Sequence, residues 1–422
     1  MANLRKTPVA GPALLMEKLR TGGLPWLAAR LREEWILPRT GPGQALHRSA
    51  RALRRALAGQ RPASAAVAGS GGLLYAFYDL AVAPVTFDFL WFLIGADLER
   101  RRRGLAAVHV VIVPGALGGL RRENPEYESR VTAAARLARI DSILVPASGL
   151  LASVSGVTVA STREQAEQLA NAAPSSVFPG RYEPALPIYP GPQEPLRAAR
   201  EHGDRVALLR ASDIDLERVD SWLAAQGCTG RVIAITLRNY GYTPERNSNM
   251  AAWAELARRL DRRRYWPVFV PDAEQCLDDT PPELNEFPVF NEAALVLGLR
   301  MALYQRAHLN LGVNNGPMGL CWLNERTRYI TFKILSNAAP NTSAEYMRLL
   351  GFEIGASLPF ATPWQAWVWE DDDLAVIERA ASAMLDRLDA ATASGGPTEA
   401  ATSQIRPVRA ETPGSPDRPA SC

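Results

Sequence analysis

Two stretches of this 422-residue chain combine residue types suited to holding an anion. The first is "NLGVNNGPMGLCWLN", residues 310–324. An apolar run ends at Val313, the chain turns through Asn314, Asn315, Gly316 and Pro317, and a helix-like run begins. Gly316 has no Cβ, so backbone there can approach a ligand closely. Pro317 fits a first helical turn, where an N–H would have no partner. A helix starting here presents free N–H groups and the positive end of its dipole, which suits a phosphate or diphosphate. Asn314 and Asn315 add neutral donors and acceptors for ribose or sugar hydroxyls. The alternative is a plain strand-to-helix turn. An Asn-Gly hairpin is disfavoured by the helix-like run that follows.

The second stretch is "RVIAITLR" followed by "NYGYTPERNSNMAAW". Arg238 stands at the carboxyl end of an apolar strand, where a guanidinium can pair bidentately with phosphate oxygens. Arg246 is a second cation in the same loop, and Ser248 or Asn249 caps the helix carrying Trp253. Asp272 closes the strand "WPVFVPD" and is placed for a base or ribose, or for capping its own loop. Two carboxylates are candidate general bases: Asp79 after "LLYAFY" and Asp88 early in the next helix. A turn cap and a helix-dipole charge are their respective alternatives. The loop "PGALGGLRREN" offers Gly118, Gly119 and Arg121 as acceptor contacts, with solvent exposure as the alternative. His308, immediately before a strand, reads as structural.

These residues need a scaffold that brings strand ends together. From residue 73 short apolar strands alternate with helices: "LLYAFYDLAV", "TFDFLWFLIGADLERRRRG", "VHVVIVPG", "ESRVTAAARLARI", "SILVPA", "GVTVA" and "TREQAEQLANA". The pattern predicts a parallel sheet covered on both faces. Residues 178–204 are dense in Pro and Gly and read as a boundary. A second series starts at 231, with strands "RVIAITLR", "WPVFVPD", "FPVF", "LNLGVN" and "RYITFKI" between helices. The expected organisation is a helical, basic arm over 1–70, an α/β Rossmann-like domain over 71–200, a second over 205–390, and a disordered tail over 391–422. Ligands of such sheets bind beyond the carboxyl ends of the strands, here in a cleft between the domains.

Composition narrows the function. The chain has 47 Lys and Arg against 44 Asp and Glu, a net charge of +3, and 47% hydrophobic residues. That charge, without a basic stripe interleaved with aromatics, speaks against a nucleic-acid partner. Cys228, Cys276, Cys321 and Cys422 are scattered and the four histidines lie far apart, so no zinc or disulfide framework is expected. The acidic run "EDDD" at 370–373 precedes a helix and reads as N-terminal helix charge rather than a metal site. No apolar run is long enough to span a bilayer, so a cytoplasmic protein is expected. The basic arm is either a solvated extension or a peripheral contact with the inner membrane face.

"NNGPMG" at 314–319 resembles the corner with which bacterial heptosyltransferases hold the diphosphate of their donor, through Gly316, Pro317 and Met318. Gly319 stands where that family usually has histidine. "ITLRNYGY" is similar to the strand-end arginine of GDP-fucose-using fucosyltransferases, through Arg238, without their second basic residue. The resemblance implies a glycosyltransferase of the GT-B type, with two Rossmann-like domains facing a cleft. It implies a nucleotide-sugar donor held by the second domain, a glycan or lipid-linked acceptor held by the first, and no metal or other cofactor. A non-catalytic nucleotide-sugar-binding protein and an epimerase on the same scaffold are the alternatives. A nicotinamide-dependent dehydrogenase is a weaker option, since no GxGxxG follows the first strand of either domain.

Overall fold

The computed structural model describes residues 72–180, 182–336 and 342–393, together with the isolated Ser49. The expected basic arm, and the expected tail beyond Ala393, lie outside the described residues.

The first unit is built on four parallel strands: β1 (Leu73–Asp79), β2 (Ala107–Val113), β3 (Val154–Val159) and β4 (Val177–Phe178). Their order is β3-β2-β1-β4. The connections carry α1 (Phe89–Arg102), α2 (Pro125–Arg130), α3 (Ala133–Arg139), α4 (Val145–Ser148) and α5 (Arg163–Ala172). Two helices, α6 (Gln193–His202) and α7 (Asp213–Ala225), lead to the second unit.

Five parallel strands form the second sheet: β5 (Arg231–Thr236), β6 (Tyr265–Val270), β7 (Leu309–Val313), β8 (Tyr329–Phe332) and β9 (Gln365–Trp367). The order is β6-β5-β7-β8-β9, so the chain steps outward one way from β5 and then the other. Between them run α8 (Met250–Arg259), α9 (Asn291–Leu295), α10 (Leu297–Arg306), α11 (Met318–Trp322) and α12 (Ala344–Leu349), and α13 (Leu374–Ala393) closes the unit.

Successive strand residues face opposite sides of a sheet, and the cores follow that alternation. Ala76 and Tyr78 of β1 and Val232 and Ala234 of β5 belong to one apolar cluster, with α1, α4 and α10 between the sheets. Phe77, Val111 and Val113 face a smaller cluster with Ala166 and Ala170 of α5. Ile233, Ile235, Leu309 and Leu311 face a third, covered by α8 and α13. The two units therefore share a continuous core between their sheets.

Three local expectations are corrected. "SILVPA" is helical: Ile140–Leu144 is a π-helical turn running into α4. Its Ile143 and Leu144 pack into the shared core, and a short apolar run on a buried helix cannot be told from a strand by periodicity. "FPVF" makes only a single bridge, Val289 to Phe269. The helix expected at "AALVLGLRMALYQRA" breaks at Val296, whose extended backbone separates α9 from α10.

Candidate active site

The loops after β5, β6 and β7 meet the start of α1 around a cavity of about 470 Å3. Its lining includes Asp88 from the first unit and Arg238, Arg246, Asp272, Asn314, Asn315, Gly316 and Pro317 from the second. Seven of the eight expected donor-site residues are thus brought together with one of the two expected bases. Met318 is fully buried in the core behind them.

β5 places Arg238 two residues beyond its last strand position, where the side chain is 6% exposed. Its terminal nitrogens donate to the carbonyl oxygens of Tyr242 (2.8 Å) and Thr243 (3.0 Å), to Thr243 Oγ1 (3.0 Å) and to Asn247 Oδ1. The guanidinium expected to grip phosphate is thereby wrapped by its own loop, and Nε is the nitrogen left uncommitted. Burial lowers its pKa. The loop is anchored from beneath by Asp372, 2% exposed, which accepts from Asn249 N (2.7 Å) and Trp253 Nε1 (2.8 Å). Lys333, at a left-handed φ of 53°, donates both to Asp372 and to the Asn247 carbonyl (3.3 Å each). Within the acidic run read as helix charge, Asp372 is a buried anchor.

Arg246 is the more available cation. Its side chain donates from Nη2 to the Asn314 carbonyl at 3.0 Å. Burial, then the neighbouring Arg238, lower its pKa to about 10. Two further lining arginines were not anticipated. Arg300 of α10, 3% exposed, donates to the carbonyls of Ala293 (2.7 Å) and Pro271 (3.4 Å). Arg139, at the end of α3, donates to the phenol oxygens of Tyr127 and Tyr240, both at 2.8 Å. The hydrogen bonds of these four guanidinium groups go to carbonyl, hydroxyl, amide and phenol oxygens, while Asp272 acts on Arg238 and Asp88 on Arg246 through charge alone. Both newly found arginines lie in helices remote in sequence from the strand ends, and no local signal marks them.

Facing Arg246 is Asp88. The side chain is exposed within the cavity, yet protein surrounds it, and this enclosure raises its carboxyl pKa. Thr86, which donates to Asp88 Oδ2 at 3.0 Å, and the charges of Arg121 and Arg246 oppose the rise. Much of the remaining lining is aromatic: Trp91, Tyr189, Trp322, Tyr346, Phe352 and Trp367.

Asp79 is placed otherwise. It is 1% exposed, takes a bidentate pair from Arg163 (2.8 Å each) and accepts from Tyr182 Oη (2.6 Å) and Ala81 N (2.9 Å). It ties β1 to α5 and does not line the cavity. Gly118 and Gly119 do not line it either; they adopt φ of 58° and 87° in a tight hairpin closed by Gly115–Gly119 and Leu117–Leu120 bridges. Arg121 is held bidentately by Glu123 (2.6 and 3.0 Å) and donates to the Val82 carbonyl (2.9 Å). Arg121 is not among the residues that line the cavity.

The Asn-Asn-Gly-Pro corner reaches the cavity for a different physical reason from the one expected. α11 has only five residues, and the N–H of Met318 is already taken by Asn315 Oδ1 at 3.1 Å. Asn314 Nδ2 donates to the Ile334 carbonyl at 2.7 Å. A Cβ on Gly316 would stand 2.6 Å from the Phe87 ring. The missing side chain admits an aromatic ring from the other unit, so the corner is a contact between units as well as a cavity wall.

No family model and no curated protein matches the chain. Among solved structures it is similar in fold to a glycosyl transferase family 9 protein from Veillonella parvula, at 12% identity, TM-score 0.45, covering 75% of this chain and 97% of that one. It is also similar to the ADP-heptose LPS heptosyltransferase II of E. coli, at 10% identity, TM-score 0.43, covering 75% and 99%. A third is the iron-containing dodecameric glycosyltransferase TibC from enterotoxigenic E. coli, at 14% identity, TM-score 0.35, covering 76% and 77%.

Proposed function

We propose that the chain is a GT-B-type glycosyltransferase that moves a sugar from a nucleotide-sugar donor to a glycan or lipid-linked acceptor hydroxyl. The observation that carries the reading is the set of four arginines around one cavity, Arg139, Arg238, Arg246 and Arg300, with Arg246 the least committed. Burial disfavours the charge of Arg238 and of Arg246, and a bound diphosphate offsets that cost.

In an inverting transfer, Asp88 takes the proton of the acceptor hydroxyl as its oxygen attacks the anomeric carbon. The bond from that carbon to the diphosphate breaks, and the nucleoside diphosphate leaves with the electron pair. Arg246, supported by Arg238 and Arg300, meets the charge that develops there. The raised pKa of Asp88 makes it a stronger base than an ordinary carboxylate. The aromatic part of the lining suits the apolar faces of a sugar ring. Among the described residues no helix is long and apolar enough to cross a membrane, and none groups three or more metal-ligating side chains. A cytoplasmic enzyme, at most peripheral at the inner membrane face, fits this reading.

The test is calorimetric titration of the full chain with ADP, GDP, UDP and CMP, beside Arg246→Ala. Binding of one nucleoside diphosphate that weakens about tenfold or more in the variant supports the reading. No nucleotide binding overturns it.

A further inference from the structure

Arg139 belongs to the first unit, at the point where α3 passes into the π-helical turn Ile140–Leu144. Ser142 and Ile143 of that turn line the cavity with it. π-Helical turns inside helices are uncommon and concentrate at functional sites. The guanidinium spans the two units: Nη1 donates to Tyr127 of its own unit and Nη2 to Tyr240 of the other. Both partners are neutral phenols, so its charge stays uncompensated.

Tyr240 is shared in a second way. Its ring lies 5.8 Å from the Arg139 guanidinium carbon and 5.5 Å from that of Arg238. Tyr127 in turn sets its ring edge-on against Tyr242, at 5.1 Å and 83°. One aromatic group therefore holds two cations, one from each unit, at the same cavity. The phenol oxygens of Tyr127 and Tyr240 occupy the donors that an anion would use.

We propose that Arg139 is a ligand-contacting residue of the anion site, delivered from the opposite unit. A bound nucleoside diphosphate displaces Tyr127 and Tyr240 from its guanidinium and ties the two units together. The inference rests on the anion-site reading above and extends it across the cavity. Phosphate oxygens outcompete phenols for a guanidinium because the bond is charge-assisted and bidentate. The phenols are thus competitors of the ligand, and removing one should tighten binding.

The experiment compares the wild type with Arg139→Gln, Tyr127→Phe and Arg246→Ala, each titrated with whichever nucleoside diphosphate the wild type binds. Thermal melting confirms that each variant is folded. The expected result is about tenfold weaker binding in Arg139→Gln and severalfold tighter binding in Tyr127→Phe. Opposite signs mark a ligand contact. If both variants weaken binding by the same factor, Arg139 is a strut between the units and the inference is overturned. It is also overturned if Arg139→Gln binds like the wild type while Arg246→Ala does not, and the anion-site reading then survives. Failure of the wild type to bind any nucleoside diphosphate overturns both.

Discussion

Arg246 donates from Nη2 to the carbonyl oxygen of Asn314 at 3.0 Å, joining the loop after β5 to the corner after β7. These are adjacent strands from which the chain departs in opposite directions. Such switch points leave a crevice beyond the strand ends, where α/β proteins bind ligands. Arg246 bridges that crevice with a largely buried cation that faces Asp88 of the first unit.

Replacing it should therefore separate binding from stability. Arg246→Ala should weaken nucleoside diphosphate binding by about tenfold or more, with Arg246→Lys between it and the wild type. Melting temperature should stay level or rise, because burial disfavours this cation and its removal lifts that cost. Calorimetry and thermal melting on the same preparations check both halves. A large drop in melting temperature would mean that the bond to Asn314 matters more for the fold than for ligand.

Asp88 gives a pH signature. Enclosure raises its carboxyl pKa, so the ionised base is lost at a higher pH than for an ordinary carboxylate. The acid limb of the kcat profile should lie above the usual carboxylate range, and Asp88→Asn should abolish turnover while retaining nucleotide binding. The stability sign follows from the same shift. A carboxyl whose folded pKa is raised binds more protons folded than unfolded, so it costs stability above that pKa. Asp88→Asn should then melt slightly higher than the wild type at pH 7 and lose that advantage at acid pH. Retained turnover in Asp88→Asn would remove it from the base role.

Sequence pattern located the alternating strands and helices well, because buried parallel strands are continuous apolar runs flanked by helices of a different period. It failed at "SILVPA", where the same apolar content is helical because Ile143 and Leu144 face the core shared between the units. The cavity wall was equally legible at Asn314 to Pro317, since Gly-Pro punctuation at a strand end is a local signal. Its physical role was not legible, because Phe87 meets Gly316 across more than two hundred residues of sequence. Asp79 and Asp88 look alike in sequence, and the tertiary neighbours Arg163 and Tyr182 separate their roles. Arg139 and Arg300 have no local sequence signal around them, and folding alone brings them to one cavity.

The contact between Gly316 and Phe87 can be tested by adding one carbon. A Cβ at residue 316 would sit 2.6 Å from the ring, too close without a shift of ring or backbone. Gly316→Ala should destabilise the protein by about 1–3 kcal/mol, the usual cost of overpacking. Pairing it with Phe87→Ala should cost less than the two single changes added together, because the second change removes what the first collides with. Additive losses in urea melts would show that a side chain at residue 316 and the Phe87 ring do not interact.

Asp79 should behave as a structural residue. Its carboxylate is buried with Arg163 on both oxygens and Tyr182 on one, so Asp79→Asn leaves a guanidinium facing a neutral amide in a low-dielectric site. Breaking a buried pair from one side costs about 3–5 kcal/mol, and Arg163, partly exposed, keeps the loss toward the lower end. The measured outcome should be a lower urea midpoint with unchanged nucleotide affinity in the fraction that stays folded. The same substitution at Asp88 should do the reverse, sparing stability and abolishing turnover. Two aspartates nine residues apart would then be assigned by opposite responses to one chemical change. A full-stability Asp79→Asn protein without activity would return Asp79 to the list of bases.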